Sequence, residues 1–196
     1  MSSTIYMRLF LIYFPVNLNI QIKTEIKMAN KLRICTYPEE VLRTKAEPVE
    51  NIDEDLQRLI DDMALTMYEA PGVGLAANQV GEAKCIIVYD VSPKEEGRNL
   101  NVLINPEIVA TEGEVVQEEA CLSVIDFAAD VRRCAKIQVR GVDRHGKPVD
   151  LEADGLLSVC LQHEIDHLNG VLFIDHISSL KRTLYKKKLK KLLKEQ

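Results

Sequence analysis

His163-Glu164-Ile165-Asp166-His167 puts two imidazoles four residues apart, with an acid directly after the first. On a helix such residues lie about 40° apart around the axis, so both rings point the same way and can hold one ion. Glu164 then projects beside the ion's open coordination position, where a general base can act. Two solvated histidines on an exposed face are the competing reading. It is weakened by the row they stand in, because Leu156 and Cys160 lead into His163 and His167, and burying two unpartnered imidazoles is costly. Two histidines do not complete a metal site. Phe173 stands six residues after His167, which excludes a third His there, and Glu195 is the one Glu that follows. Asp175 and His176 stay open as ligands. The better candidate is Cys121 in Glu118-Glu119-Ala120-Cys121-Leu122-Ser123, a lone thiol after two acids. The usual fate of a Cys, a small buried hydrophobe, suits Cys35, Cys85, Cys134 and Cys160.

These residues need elements to hold them. The pentapeptide lies on a helix starting near Asp154 and closing at Asn169-Gly170. Leu157, Leu161, Ile165 and Leu168 form a second apolar row on it, so it should be buried between sheets. Ile52, Leu56, Leu59, Ile60, Met63 and Met67 recur at helical spacing between Asn51 and Ala70, with Asn51 and Glu54 as a capping box. Pro71-Gly72-Val73-Gly74 breaks that helix. Strands are expected at Lys84 to Asp90, at Val102 to Asn105 ended by Pro106, near Gly113 to Val116, and at Lys136 to Val142, with a turn at Asp143 to Lys147. The reading is an α+β fold. Antiparallel strands pack around a central buried helix carrying HExxH, with an N-terminal amphipathic helix and a C-terminal basic helix.

The chain of 196 residues, 46% apolar and 28% charged, suits one domain with a real core and excludes a disordered tail. Trp is absent and Phe and Tyr total ten, which argues against an aromatic nucleic-acid platform and against DNA as partner. Five scattered Cys, an odd number, point to a reducing compartment such as the cytoplasm. The net charge of −5 is uneven: the last 17 residues hold eight Lys or Arg against Glu195, giving +7. The remainder, with 17 bases against 29 acids, carries −12. A polyanionic partner would meet the tail. Near the start, Leu9 to Val16 is apolar but too short to span a bilayer, so stable membrane insertion is not expected. Residues 1–27 read as an extension upstream of Met28, with a targeting segment or an extra packed element as the other readings.

Three stretches resemble, in order and separation, the signature motifs of the peptide deformylase family: Gly72-Val73-Gly74-Leu75-Ala76-Ala77-Asn78-Gln79, Glu119-Ala120-Cys121-Leu122-Ser123 and Gln162-His163-Glu164-Ile165-Asp166-His167. Tyr37-Pro38, Leu42-Arg43 and Leu151 to Gly155 extend the likeness to the bacterial and organellar form. The resemblance implies a catalytic domain over residues 28–179 and a basic helix over 180–196. It implies that Cys121, His163 and His167 bind one divalent metal, usually Fe2+, with Zn2+, Ni2+ or Co2+ also suited to thiolate and imidazole. Glu164 would be the base, with the Gln79 amide and the Leu122 backbone N–H meeting the oxyanion. The implied reaction is hydrolysis of the formyl group from N-formylmethionyl nascent peptides. Substrate would lie along Val73, Gly74, Glu119 and Ala120, its first side chain near Val73, Leu156, Val159 and Cys160. Glu119 and Arg133 match a carboxylate–guanidinium pair that shapes this region. The basic helix would dock on the ribosome, in the bacterial cytoplasm or in an organelle.

Ala120 stands where the family usually has Gly, and Ile125 where it has Pro. A metal-stabilised, ribosome-associated protein without turnover is therefore the alternative. A general zinc peptidase leaves the first two motifs unexplained.

Overall fold

The computed structural model describes residues 29–195 apart from Pro71. The extension expected over residues 1–27 lies outside the described residues. Helix α1 (Glu54–Glu69) is followed by strands β1 (Gly74–Ala76), β2 (Ile86–Tyr89), β3 (Asn101–Glu112), β4 (Val115–Cys121), β5 (Val124–Arg133), β6 (Lys136–Val142) and β7 (Pro148–Asp154). Helices α2 (Gly155–Leu168) and α3 (Ser179–Glu195) complete a mixed α/β fold. One antiparallel sheet has the order β1-β2-β3-β6-β7, and β4 pairs with β5 in a separate two-stranded sheet.

Helix α1 starts later than its sequence suggests. The cap is Asp53, in extended backbone, whose side chain accepts from the Leu56 N–H at 2.9 Å, rather than an Asn51–Glu54 box. A cap needs non-helical backbone directly before the first turn, and Asp53 supplies both that and the acceptor. Leu56, Ile60, Met63 and Met67 are buried against Leu75, Ile86, Val88 and Ile104 of the sheet.

Three strand expectations need correction. The strand expected over Lys84 to Asp90 is confined to Ile86–Tyr89. Strand β3 does not stop at Pro106 but runs to Glu112. Its pairing with β6 shifts register between Ile104 and Glu107, with Asn105 at φ 52°, and a bulge of that kind accommodates a residue with no N–H. Gly113, expected to open a strand, instead sits in the following turn at φ 65°. The β4–β5 hairpin runs on to Arg133, and β5 was not anticipated. The hairpin's alternation is concealed because its inward row includes two charged residues, Glu119 on β4 and Arg133 on β5.

Ten of the fourteen α2 residues are buried, among them His163, Glu164 and His167. Leu161, Ile165 and Leu168 join Ile87, Leu103, Ile137 and Val139 of the large sheet in one core. On α3, Tyr185 and Leu189 are buried while Leu180, Leu184 and Leu193 are exposed. The Tyr185 ring lies 4.6 Å from that of Phe127 on β5, so the basic helix is anchored by one apolar face. No helix among the described residues is long and apolar enough to cross a membrane.

Replacing Asp53 by Ala removes the α1 cap and should lower unfolding free energy by about 1 kcal/mol, read from urea denaturation followed by circular dichroism.

Candidate active site

Helix α2 presents His163 and His167 on neighbouring turns, with ring centroids 4.9 Å apart. Cys121 ends β4, where the pairing jumps from Ala120–Ala128 to Cys121–Val124 as the hairpin tightens. That position brings Sγ to 3.1 Å from His167 Nε2. One ligand atom from each of Cys121, His163 and His167 lies within 4.8 Å of the others. Sulfur and nitrogen ligands of one tetrahedral ion stand about 3.3–3.6 Å apart, so this donor set fits a thiolate- and imidazole-binding metal with small adjustments. Asp175 and His176 take other partners: Asp175 holds Arg43, and His176 Nε2 meets Asp166 at 2.7 Å.

The hydrogen bonds around the trio orient it. Glu119 Oε2 accepts from His163 Nδ1 at 2.8 Å, which leaves Nε2 as the ring nitrogen without that partner. Arg133 grips the same carboxylate through Nε at 2.7 Å and Nη2 at 3.0 Å, and both side chains are only 4% exposed. Burial alone would raise the Glu119 carboxyl, but the bonds from His163 and Arg133 hold it down at about 2. Burial pushes His167 well below the usual imidazole range, which favours the neutral ring. The Ser123 N–H donates to Cys121 Sγ at 3.4 Å. Gln79 Nε2 faces the same sulfur at 3.6 Å, while its Oε1 accepts from the Ala76 N–H at 2.8 Å and so fixes which end points in.

Glu164 is buried, and its Oε2 has no hydrogen-bond partner among the described residues. Burial pushes its carboxyl up to about 7, suited to exchanging protons near neutrality. Gly74 makes this placement possible, because a Cβ there would lie 2.5 Å from Glu164 Oε1.

A cleft of about 350 Å3 opens onto these groups. Val73, Gly74, Gln79, Glu119, Ala120, Cys121, Leu122, Leu156, Val159, Cys160, His163 and Glu164 all line it. Arg133 and His167 stand behind this wall, in contact with residues that form it. Sequence reasoning missed Gln117 and Glu118 at the cleft, Ser123 as the Gln79 Nε2 acceptor at 3.1 Å, and Asn78, which donates to the His167 carbonyl. It also missed Asp166, three residues after His163, whose helical spacing was the available signal.

A buried carboxylate beside a Cys-His-His donor set, at the foot of an open cleft in a mixed α/β fold, defines a metallohydrolase. The sequence profile described as polypeptide deformylase matches residues 31–183, and the chain belongs to that family. The peptide deformylase of Syntrophobacter fumaroxidans is 57% identical over 164 residues, covering 84% of this chain and 96% of its own. The crystal structure of a peptide deformylase from Legionella pneumophila is 47% identical with a TM-score of 0.79, covering 84% of this chain and 96% of that one. The peptide deformylase of Ehrlichia chaffeensis in complex with actinonin is 40% identical with a TM-score of 0.78, covering 83% and 97%.

Gly74→Ala should leave the fold intact but displace the Glu164 carboxylate, lowering deformylation kcat by about 10²-fold or more in a formate-release assay.

Proposed function

We propose that Cys121, His163 and His167 hold one divalent cation, that Glu164 is the general base, and that Gln79 and the Leu122 N–H receive the developing oxyanion. The observation that carries this reading is the approach of the Cys121 sulfur, at the end of β4 in the two-stranded sheet, to the α2 imidazoles. As a polypeptide deformylase the chain is a metal-dependent hydrolase of protein biosynthesis, removing the N-formyl group from nascent peptides. Ala120, at the exposed side of β4, leaves the metal and base positions untouched, and nothing supports a non-catalytic role.

The cation supplies Lewis acidity and makes water acidic enough to yield hydroxide near neutral pH. Fe2+ is the ion we assign, and Zn2+, Ni2+ and Co2+ suit the same donors. Glu164 takes the proton from the attacking water at its free oxygen. The water oxygen bonds to the formyl carbon, and the negative charge on the carbonyl oxygen is met by Gln79 Nε2 and the Leu122 N–H. As the C–N bond breaks, Glu164 delivers the proton to the departing amine, so formate and a free N-terminus result.

Substrate enters as an extended strand between β1, an edge strand, and the side of β4 away from β5. Its methionine side chain occupies the apolar wall of Val73, Leu156, Val159 and Cys160. Val73 and Leu156 are 45% and 47% exposed, which suits a ligand-facing wall better than core. The HExxH helix is the central element of a catalytic domain spanning residues 28–179, and residues 1–27 lie outside it. The basic helix over 180–196 meets ribosomal RNA phosphate, with Lys186, Lys190 and Lys194 along one groove. The bacterial cytoplasm is the setting we favour.

Glu164→Gln should retain metal by elemental analysis yet release formate from formyl-Met-Ala-Ser about 10²- to 10⁴-fold more slowly, and surviving activity would remove Glu164 as base. Cys121→Ala should lose the metal, and metal retained at full occupancy would remove the sulfur from the ligand set.

A further inference from the structure

Asp166 and His176 have no part in the chemistry above, yet both end a continuous chain of contacts that reaches a proposed ligand. His176 Nε2 lies 2.7 Å from Asp166 Oδ2, and Arg133 Nη1 donates to the same oxygen at 2.5 Å. The other side of the Arg133 fork holds Glu119, and Glu119 holds His163 Nδ1 at 2.8 Å. Side-chain exposure falls along this path from 35% at His176 to 24% at Asp166 and 4% at Arg133 and Glu119.

We infer that Asp166 and His176 are positioning residues for the metal centre, acting on His163 through Arg133 and Glu119. This rests on His163 being a ligand, as proposed above. The physical basis is the sharing of one guanidinium between two carboxylates. If Glu119 were the sole counter-charge, Arg133 would draw on both of its oxygens undivided. Asp166 takes part of that positive charge, so Glu119 Oε2 keeps the electron density to accept the Nδ1–H strongly. A stronger acceptor behind the ring makes Nε2 a more basic donor to the cation. Geometry adds to charge, because Asp166 sits three residues after His163 on α2 and ties the Arg133 fork to the helix that carries the ligand. His176 in turn fixes the Asp166 oxygen that Arg133 uses.

The test is a cobalt(II)-loaded full-length chain carrying Asp166→Asn, His176→Phe or His176→Gln, read by its visible ligand-field spectrum and by the rate at which a chelator strips the metal. Asp166→Asn should shift the ligand-field bands and speed stripping about tenfold. His176→Phe should act in the same direction by a smaller factor, and His176→Gln, which keeps a donor, should behave as the parent. If Asp166 were only a clip between β5 and α2, its loss would lower thermal stability with stripping rate and spectrum unchanged, and that result would overturn the inference. Should Asp166→Asn fail to fold, unchanged stripping and spectrum in His176→Phe would overturn it equally. A parent chain binding cobalt with no thiolate-to-metal absorption would sink the ligand set itself, a failure visible before any variant is made.

Discussion

The Glu119 carboxylate joins two parts of the fold that share no hydrogen-bonded ladder. It stands on β4, takes the Arg133 fork from β5, and accepts the Nδ1–H of His163 on α2. Taking such a pair out of water is expensive and returns little net stability. Its consequence is positional. With Glu119 bound to both partners, the end of β4 is held against α2 and Cys121 Sγ reaches His167, 46 residues further along the chain. Losing that registration would leave three potential donor side chains without a common centre.

The large sheet acts on the same site from the other side. Its core row on α2, through Leu161, Ile165 and Leu168, fixes the helix's rotation, and rotation decides where His163 and His167 point. Strand β1 lies close enough for Gly74 to sit against the Glu164 carboxylate, which excludes solvent and raises its proton affinity. Gln79 is held by its own strand end through the Ala76 N–H, so its amide nitrogen faces the sulfur without rearrangement. A site whose donors are already oriented spends little reorganisation at the moment of reaction.

The outer face of the molecule follows separate rules. Helix α3 is bound by Tyr185 and Leu189 on one side while its lysines and Leu180, Leu184 and Leu193 remain exposed. The positive charge of this helix is thereby kept as a surface feature, while its buried face packs in the same cluster as Cys121.

Much of the site was legible in one dimension because its chemistry is local in the chain. The i, i+4 spacing of His163 and His167, the acid between them, and the glycines before Leu75 follow from helix geometry and backbone sterics, which short sequence windows determine. Helices α1 and α2 were legible for the same reason, as was β6, where Ile137 and Val139 alternate with polar neighbours. The third donor was legible only as a preference for Cys121, from its motif and the family resemblance, because spacing left Asp175 and His176 open; the fold brings Sγ up to the imidazoles and gives Asp175 and His176 other partners. Strand β5, the inward burial of Arg133, the Asp53 cap and the passage of β3 through Pro106 also needed tertiary structure. Each depends on a partner far along the chain or on a bulge that absorbs a local misfit, and neither leaves a periodic trace in the residues that form it.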